Sequence, residues 1–265
     1  MKNNKKVILF DLDGTLTPPR KKMTHDISDC LYRIQQAGFE IGIVTGSDLE
    51  YVYEQCDVLW DLNPIDFRSI HFLPCNGTKY YRHGHGTALN EIYSLDMRSH
   101  LGEKHWRRLT QLLLNLQNAM SRVHRKIPLT GTFIQYRGST VNWCPIGRSA
   151  TDADRHAWDI LNEENQIREK WLDIAQFGLM SANLKNIVIK FGGETSFDIY
   201  PEGWDKTYSM NKLFADYETV YFIGDRCDPL GNDFEAYMLA GDNGFQTSGP
   251  EETIDIVYNK ILSKV

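Results

Sequence analysis

The sequence predicts an α/β fold in which a parallel-sheet core is split in the chain by an inserted α+β module. Three observations carry this reading. Apolar runs without polar alternation, such as Val7-Ile8-Leu9-Phe10, read as strands covered on both faces, the pattern of a parallel sheet. The first two such runs each end in a short loop and pass into an amphipathic helix, which is the grammar of parallel β-α units. Between about residues 90 and 200 this grammar gives way to long helices and Gly-centred hairpins, and afterwards it returns.

Taken in order, the first strand ends at Phe10 and turns at Asp11-Leu12-Asp13-Gly14. Residues 24–38, THDISDCLYRIQQAG, put Ile27, Leu31 and Ile34 on one helical face, with Thr24 as N-cap and Gly38 as stop. FEIGIVTGSD is the second strand, ending in Thr45-Gly46-Ser47, and DLEYVYEQ is its helix. The segment from Val58 to Phe72 has a weaker pattern, compatible with a short helix and a third strand. CNGTKYYRHGHGTALNEI reads as hairpins, with turns at Asn76-Gly77 and at the glycines 84 and 86. In the inserted module, EKHWRRLTQLLLNLQNAM is a helix with Leu109, Leu112, Leu113, Leu116 and Met120 on one face. GTFIQYRG and STVNWCPIG form one hairpin, a charged helical stretch runs from Asp152 to about Gln176, and NIVIKFGG with TSFDIYPE forms a second hairpin. YETVYFIGD is again a buried strand ending in an acid, followed by the helices NDFEAYMLA and PEETIDIVYNKIL. The expected division is a core of residues 1–88 and 201–265 around a module of residues 89–200.

Composition narrows the functions. With 265 residues, 42% of them hydrophobic, the chain can bury a substantial core. A formal charge of -6 argues against an electrostatic nucleic-acid binder. The amino-terminal apolar run is too short and too acidic for a signal peptide or a membrane span, so an unexported protein without a membrane partner is expected. Cys30, Cys56, Cys75, Cys144 and Cys227 are odd in number, scattered and without metal-ligand spacing, which suits free thiols in the cytoplasm. His83, His85, His100, His105 and His124 also lack ligand spacing and read as surface residues.

The chemistry sits at strand ends. Asp11 and Asp13, Thr45 to Ser47, and Asp225 all follow predicted sheet strands, and open α/β sheets place their ligand crevice at the carboxyl ends. An isolated Asp-x-Asp-Gly is as readily a solvated turn. Several acids brought together repel unless a cation neutralises them, and hard oxygen ligands point to magnesium. One carboxylate can then attack phosphorus to give an aspartyl phosphate, while a second, two residues on, gives and takes the proton of the alcohol.

FDLDGTLT, VTGSD, the lysine of GWDK and IGDRCDPLGND, in this order, resemble the haloacid dehalogenase superfamily. TLTPPR, GTFIQYRG, CPIGRSATDADR, GGETSFDIYPEGWDK and PLGND are similar to the eukaryotic-type phosphomannomutases along nearly the whole chain. The resemblance implies a Rossmannoid parallel-sheet core with an inserted α+β cap domain. It also implies interconversion of mannose 6-phosphate and mannose 1-phosphate through an aspartyl phosphate and a hexose 1,6-bisphosphate. It makes Asp11 the nucleophile, Asp13 the acid/base and Lys206 the charge that steadies the aspartyl phosphate. Asp11, Asp13, Asp225 and Asn232 are the implied Mg2+ ligands. Arg137, Arg148 and Arg155 match the arginines that hold a sugar's distant phosphate, where a guanidinium fork offers charge and geometry; Arg20, Ser196 and Asp198 match further substrate contacts. The resemblance also implies a homodimer through the cap, and the apolar face of residues 109–120 needs a covering surface.

This chain departs from the family pattern in places. Thr45 stands where the family commonly has Gly, so the phosphate-contacting hydroxyl is Thr45 or Ser47. Arg226 and Cys227 replace a Lys-Thr pair, and the stretch from Val58 to Tyr81 matches poorly. Mannose and glucose phosphates therefore stay open as substrates, as does a phosphoglucomutase-like activity. A sugar-phosphate phosphatase with the same aspartates is the enzyme alternative, and a non-catalytic binding module is the third reading.

Overall fold

The computed structural model describes residues 3–61, 65–84, 89–215 and 217–264. The chain forms two compact units, Met1–Ser94 with Gly203–Val265, and Leu95–Glu202.

The first unit is built on a seven-stranded sheet with the order β11-β10-β1-β2-β3-β4-β5. Its strands are β1 (Asn3–Phe10), β2 (Phe39–Val44), β3 (Ile70–Leu73), β4 (Lys79–His83), β5 (Leu89–Ser94), β10 (Tyr217–Gly224) and β11 (Gly244–Gln246). β1 pairs in parallel with both β10 and β2, while β4 and β5 are antiparallel additions at one edge. The stretch that opens the inserted module in the sequence reading, residues 89–94, is thus a strand of this sheet. Pro74 to Thr78 make the turn between β3 and β4 expected at Asn76-Gly77; the turn expected at Gly86 and His85 lie outside the described residues.

Alternation along β1 divides its side chains between two cores. Ile8 and Phe10 pack with Ile41, Ile43, Phe72 and Ile223 on one face. There they meet Ile27, Leu31 and Ile34 of α1 (His25–Gln36), and Ile256 of α9 (Pro250–Ile256) with its following π-helical turn Val257–Ile261. Val7 and Leu9 pack on the other face with Phe222, with Met210 of α7 (Thr207–Leu213) and with Ala236 of α8 (Phe234–Ala240). All four β1 side chains are fully buried, each worth roughly 1.5–3 kcal/mol. Helices on both faces explain the unbroken apolar run. Two short helices, α2 (Leu49–Gln55) and α3 (Val58–Asp61), follow β2.

The second unit carries an antiparallel sheet of order β6-β7-β9-β8, formed by β6 (Ile134–Tyr136), β7 (Val141–Trp143), β8 (Ile187–Phe191) and β9 (Phe197–Pro201). The two predicted hairpins are therefore one sheet, joined where Asn142 faces Asp198 across β7 and β9. Its helices are α4 (Met97–Val123), interrupted at Gly102 (φ 70°, ψ 159°), α5 (Asp152–Asn165) and α6 (Ile167–Ser181). The charged stretch read as one helix is two, because Gln166 adopts a left-handed conformation (φ 51°) that ends α5 and redirects the chain. Leu109, Leu113, Leu116 and Met120 are buried. Trp143 stacks on Phe197, with Trp171 of α6 at its edge.

Candidate active site

The sheet order brings the site together. β10, β1 and β2 are neighbours with matched ends, Phe10 standing opposite both Ile223 and Ile43. The residues that follow them, Asp11, Thr45 and Asp225, accordingly emerge side by side at the carboxyl edge. Asp11 continues the ladder for one step, its N–H donating to Ile223 O at 2.9 Å.

Beyond Asp11 the chain folds into a tight loop in which Leu12 O accepts the N–H groups of Thr15, Leu16 and Thr17. Gly14 is required there. It has φ +83°, and a Cβ at this position would lie 2.4 Å from Asp225 Oδ2. Gly224 is equally confined, since its Cβ would lie 2.6 Å from Asp233 Oδ2.

Oxygens of Asp11, Asp225 and Asp233 lie within 4.8 Å of one another. Lys206 Nζ, buried with its residue only 1% exposed, donates to the carboxylates of both Asp11 and Asp233. Asp233 Oδ2 also accepts the Arg226 N–H at 3.1 Å. Burial pushes the Asp11 carboxyl well above the usual range; Lys206 opposes this, and Asp233 and Asp225 add to it. Burial and then Asp233 raise Asp225 to about 6. Burial alone would lower Lys206, but its two carboxylate partners outweigh it and the ammonium is held protonated.

One ammonium against three carboxylates leaves an excess of negative charge, which a divalent cation would neutralise. Asn232 Oδ1, next to Asp233 in sequence, is buried and has no hydrogen-bond partner among the described residues. A hard-oxygen set with an orphaned carbonyl fits a metal ion.

Asp13 lies outside this trio. Its Oδ1 accepts hydrogen bonds from Tyr51 Oη at 2.6 Å and from Arg20 N at 3.0 Å. Arg20 is exposed and holds a left-handed backbone (φ 61°). Burial, then Asp13, pushes the Tyr51 phenol far up, so it remains a donor.

At the end of β2, Thr45 Oγ1 accepts the Ser47 N–H at 3.1 Å. The Ser47 hydroxyl has no hydrogen bond to a described residue. The turn is braced by Cys75 N donating to Ser47 O and Asn76 N donating to Thr45 O, each at 2.7 Å. Cys75 and Asn76 have positive φ where they reach these carbonyls, and Gly77, also at positive φ, donates back to Leu73 O at 3.1 Å. Of the family departures, Arg226 Nε lies 3.8 Å from Asp225 Oδ2, and the buried Cys227 thiol, pushed up by burial to about 12, donates to Gly224 O.

The second unit assembles its own polar set. Asn142 Nδ2 donates to Asp198 Oδ1 at 2.7 Å, and its Oδ1 accepts from Arg148 Nη1 at 3.2 Å. Buried Arg155 donates through Nη1 to Thr195 Oγ1 at 3.0 Å, beside Ser196. Arg168 donates through Nη2 to the carbonyls of Gly193 and Ser196 and lies over the Phe191 ring, fixing the hairpin turn. Arg137 leaves the end of β6 and donates to Gln135 Oε1 at 3.4 Å.

Sequence reasoning missed Asp233, Tyr51, Asn142 and Thr195. Asp233 was in view as the last acid of GND, three positions from the sheet-facing Ala236. The other three make contacts to distant segments that no local pattern reports.

Comparison with known proteins bears on these residues. The sequence model of the eukaryotic phosphomannomutase family matches residues 27–264, a span that begins after Asp11 and Asp13. A phosphomannomutase of Drosophila melanogaster is 34% identical over 240 residues, covering 89% of this chain and 88% of that protein. Phosphomannomutase 1 of Homo sapiens is 34% identical over 247 residues, covering 93% and 88%. Among solved structures, the IMP-bound, N-terminally truncated IMP-nucleotidase of Plasmodium falciparum superposes with a TM-score of 0.66 over 99% of this chain and 69% of that one. At 14% identity, that similarity shows the shared HAD-like fold.

Proposed function

The chain belongs to the eukaryotic phosphomannomutase family and is an enzyme of that class, and on that premise we propose that Asp11 is its phosphoryl-accepting nucleophile and Asp13 its acid/base. The observation that carries the assignment is the split between the two: Asp11 lies among carboxylates and Lys206, whereas Asp13 is held apart by Tyr51 and Arg20.

An Asp11 oxygen donates its electron pair to phosphorus of a hexose 1,6-bisphosphate. The phosphorus–oxygen ester bond breaks, its pair stays on the sugar oxygen, and that oxygen takes the proton of Asp13. In the return step the Asp13 carboxylate removes a proton from a hydroxyl of the sugar monophosphate as that oxygen attacks the aspartyl phosphate. Lys206 favours the ionised form of Asp11 against the effect of burial and orients its carboxylate. The hydroxyl expected to bind phosphate is Ser47, because Thr45 is buried with its oxygen accepting the Ser47 N–H, whereas Ser47 is partly exposed.

Asp11, Asp225, Asp233 and Asn232 would hold the cation, which we take to be magnesium, and this leaves Asp13 for proton transfer. When bound, the ion offsets the charge of the acids and of the transferring phosphoryl group. Arg137, Arg148 and Arg155, with Ser196 and Asp198, are assigned to the sugar and its non-reacting phosphate; Arg20 is assigned to the same substrate. Hexose phosphates are thus the substrates and a hexose 1,6-bisphosphate the intermediate.

A cytoplasmic location and a homodimer complete the proposal. None of the five cysteines is in a disulfide, and no helix among the described residues is long and apolar enough to cross a membrane. The Leu109–Met120 face offered by sequence for pairing is covered within its own unit. The apolar side chains still exposed on α6, Ile174, Phe177 and Met180, support pairing instead. The deciding experiment is a coupled assay on mannose 1-phosphate and glucose 1-phosphate, with and without a hexose 1,6-bisphosphate. Isomerisation that depends on the bisphosphate is expected. Release of inorganic phosphate faster than isomerisation would establish a phosphatase in its place.

A further inference from the structure

We infer that Tyr51 is a positioning residue for proton transfer: with the Arg20 N–H it holds Oδ1 of Asp13 and leaves Oδ2 as the oxygen that exchanges the proton with the sugar. This rests on Asp13 being the acid/base.

Tyr51 Oη and Arg20 N both reach Oδ1, at 2.6 and 3.0 Å, and no other hydrogen bond reaches this carboxylate from a described residue. Two donors on one oxygen fix the rotation of the carboxylate about its Cβ–Cγ bond. They also settle where a proton sits, because a hydrogen on Oδ1 would compete with two donors for that oxygen's lone pairs, whereas Oδ2 meets none. A freely rotating carboxylate would offer either oxygen, and only an oriented one gives near-attack geometry for the proton.

The arrangement is anchored from both sides. Tyr51 N donates to the N-cap side chain of Asp48 at 3.1 Å, which fixes the first turn of α2, and the Tyr51 ring packs against the core below. Arg20 delivers its N–H from φ 61°, a conformation costing roughly 1–2 kcal/mol in a residue with a Cβ. The hydrogen bond to Asp13 accounts for that strain. Ser47 and Tyr51 also belong to one loop-helix segment, so the hydroxyl assigned to phosphate and the phenol that holds the proton carrier share a support.

During phosphorylation of Asp11 the Oδ2 proton passes to the departing sugar oxygen, and the charge left on Asp13 is met by the two donors, which keep their own protons. In the reverse step Oδ2 takes the proton of the attacking hydroxyl.

Tyr51→Phe removes the hydroxyl and keeps the ring. The measurement is single-turnover formation of the aspartyl phosphate by the full-length enzyme with magnesium, from a hexose 1,6-bisphosphate and from 2,4-dinitrophenyl phosphate, whose leaving group departs without a proton. The variant should slow the bisphosphate reaction by roughly tenfold or more, within the range of general acid catalysis, and leave the aryl ester within about twofold. In an Asp13→Asn background the same change should cost nothing further, because the hydroxyl acts only through Asp13. Equal slowing of both donors, no slowing of either, or an additive loss in the double variant would overturn the inference. A parent enzyme that forms no aspartyl phosphate from either donor would overturn the assignment of Asp11 and Asp13 and the inference with it.

Discussion

Two aspartates separated by one leucine meet opposite surroundings, and those surroundings set what each can do. Asp11 shares Lys206 with Asp233, while Asp13 takes neutral donors on one oxygen. Asp11→Asn should therefore abolish aspartyl-phosphate formation from every donor, since an amide cannot attack phosphorus; acid-quench trapping of the phosphoenzyme measures this. Asp13→Asn should still bind the cation and lose roughly 10²- to 10⁴-fold in turnover, read by steady-state assay beside a metal titration. Gly14→Ala tests the crowding next to them. A Cβ placed 2.4 Å from Asp225 Oδ2, at φ +83°, must push that carboxylate from the cluster. Weakened cation binding by calorimetry is expected, with a modest loss of melting temperature. The aspartates were legible as a chemical pair because they directly follow an unbroken apolar run. Asp233 was not singled out, because only the folded loop brings it to Lys206.

At the scale of elements, most strands and helices were legible from apolar periodicity, and the misses have local causes. Gln166 divides one charged stretch into two helices through its left-handed backbone, a conformation glycine would have advertised and glutamine does not. The pairing of β7 with β9 needs contact across more than fifty residues, which no window contains. A polar network on the core sheet was equally hidden. His71 of β3 lies between Tyr80 and Glu40, at 2.8 and 2.7 Å, and Glu40 also meets Lys5, Tyr217 and Arg82. Burial lowers the His71 pKa, with Glu40 opposing and Arg82 and Lys5 unfavourable to the charged ring. Burial would raise Glu40, but hydrogen bonds from His71, Lys5 and Tyr217 outweigh it and hold the carboxyl far below its usual range. In both cases the folded state binds the proton less readily than the unfolded chain, so stability falls as pH falls. The loss should begin below about pH 6.5 through His71 and deepen below about pH 4.3 through Glu40. Urea midpoints across pH should show this slope in the parent and a flatter upper segment in His71→Gln. An unchanged segment would assign the slope to other groups.

At the scale of the molecule, the proposal assigns bond making to one unit and the distant phosphate of the sugar to the other. The first unit holds every residue assigned to bond making, and the second holds the arginines assigned to the phosphate that does not react. Arg148 donates to the Asn142 amide, which in turn donates to Asp198, so a cationic fork and a carboxylate stand side by side, one suited to an anion and the other to hydroxyls. A mutase needs this division, because the phosphate at the far end of the sugar must be bound by groups that cannot cleave it, while the near one reacts. On that assignment a small phosphate ester needs only the first unit. Arg148→Ala should therefore lower kcat/KM for hexose phosphates by about 10- to 150-fold, the equivalent of the roughly 1.5–3 kcal/mol of a hydrogen bond to a charged group. Hydrolysis of acetyl phosphate should stay near the parent value, since no step of it requires a distant anion site. The two rates measured on one preparation separate the readings: a parallel fall would place Arg148 in the folding or chemistry of the whole enzyme, and a selective fall assigns it to the phosphate that does not react.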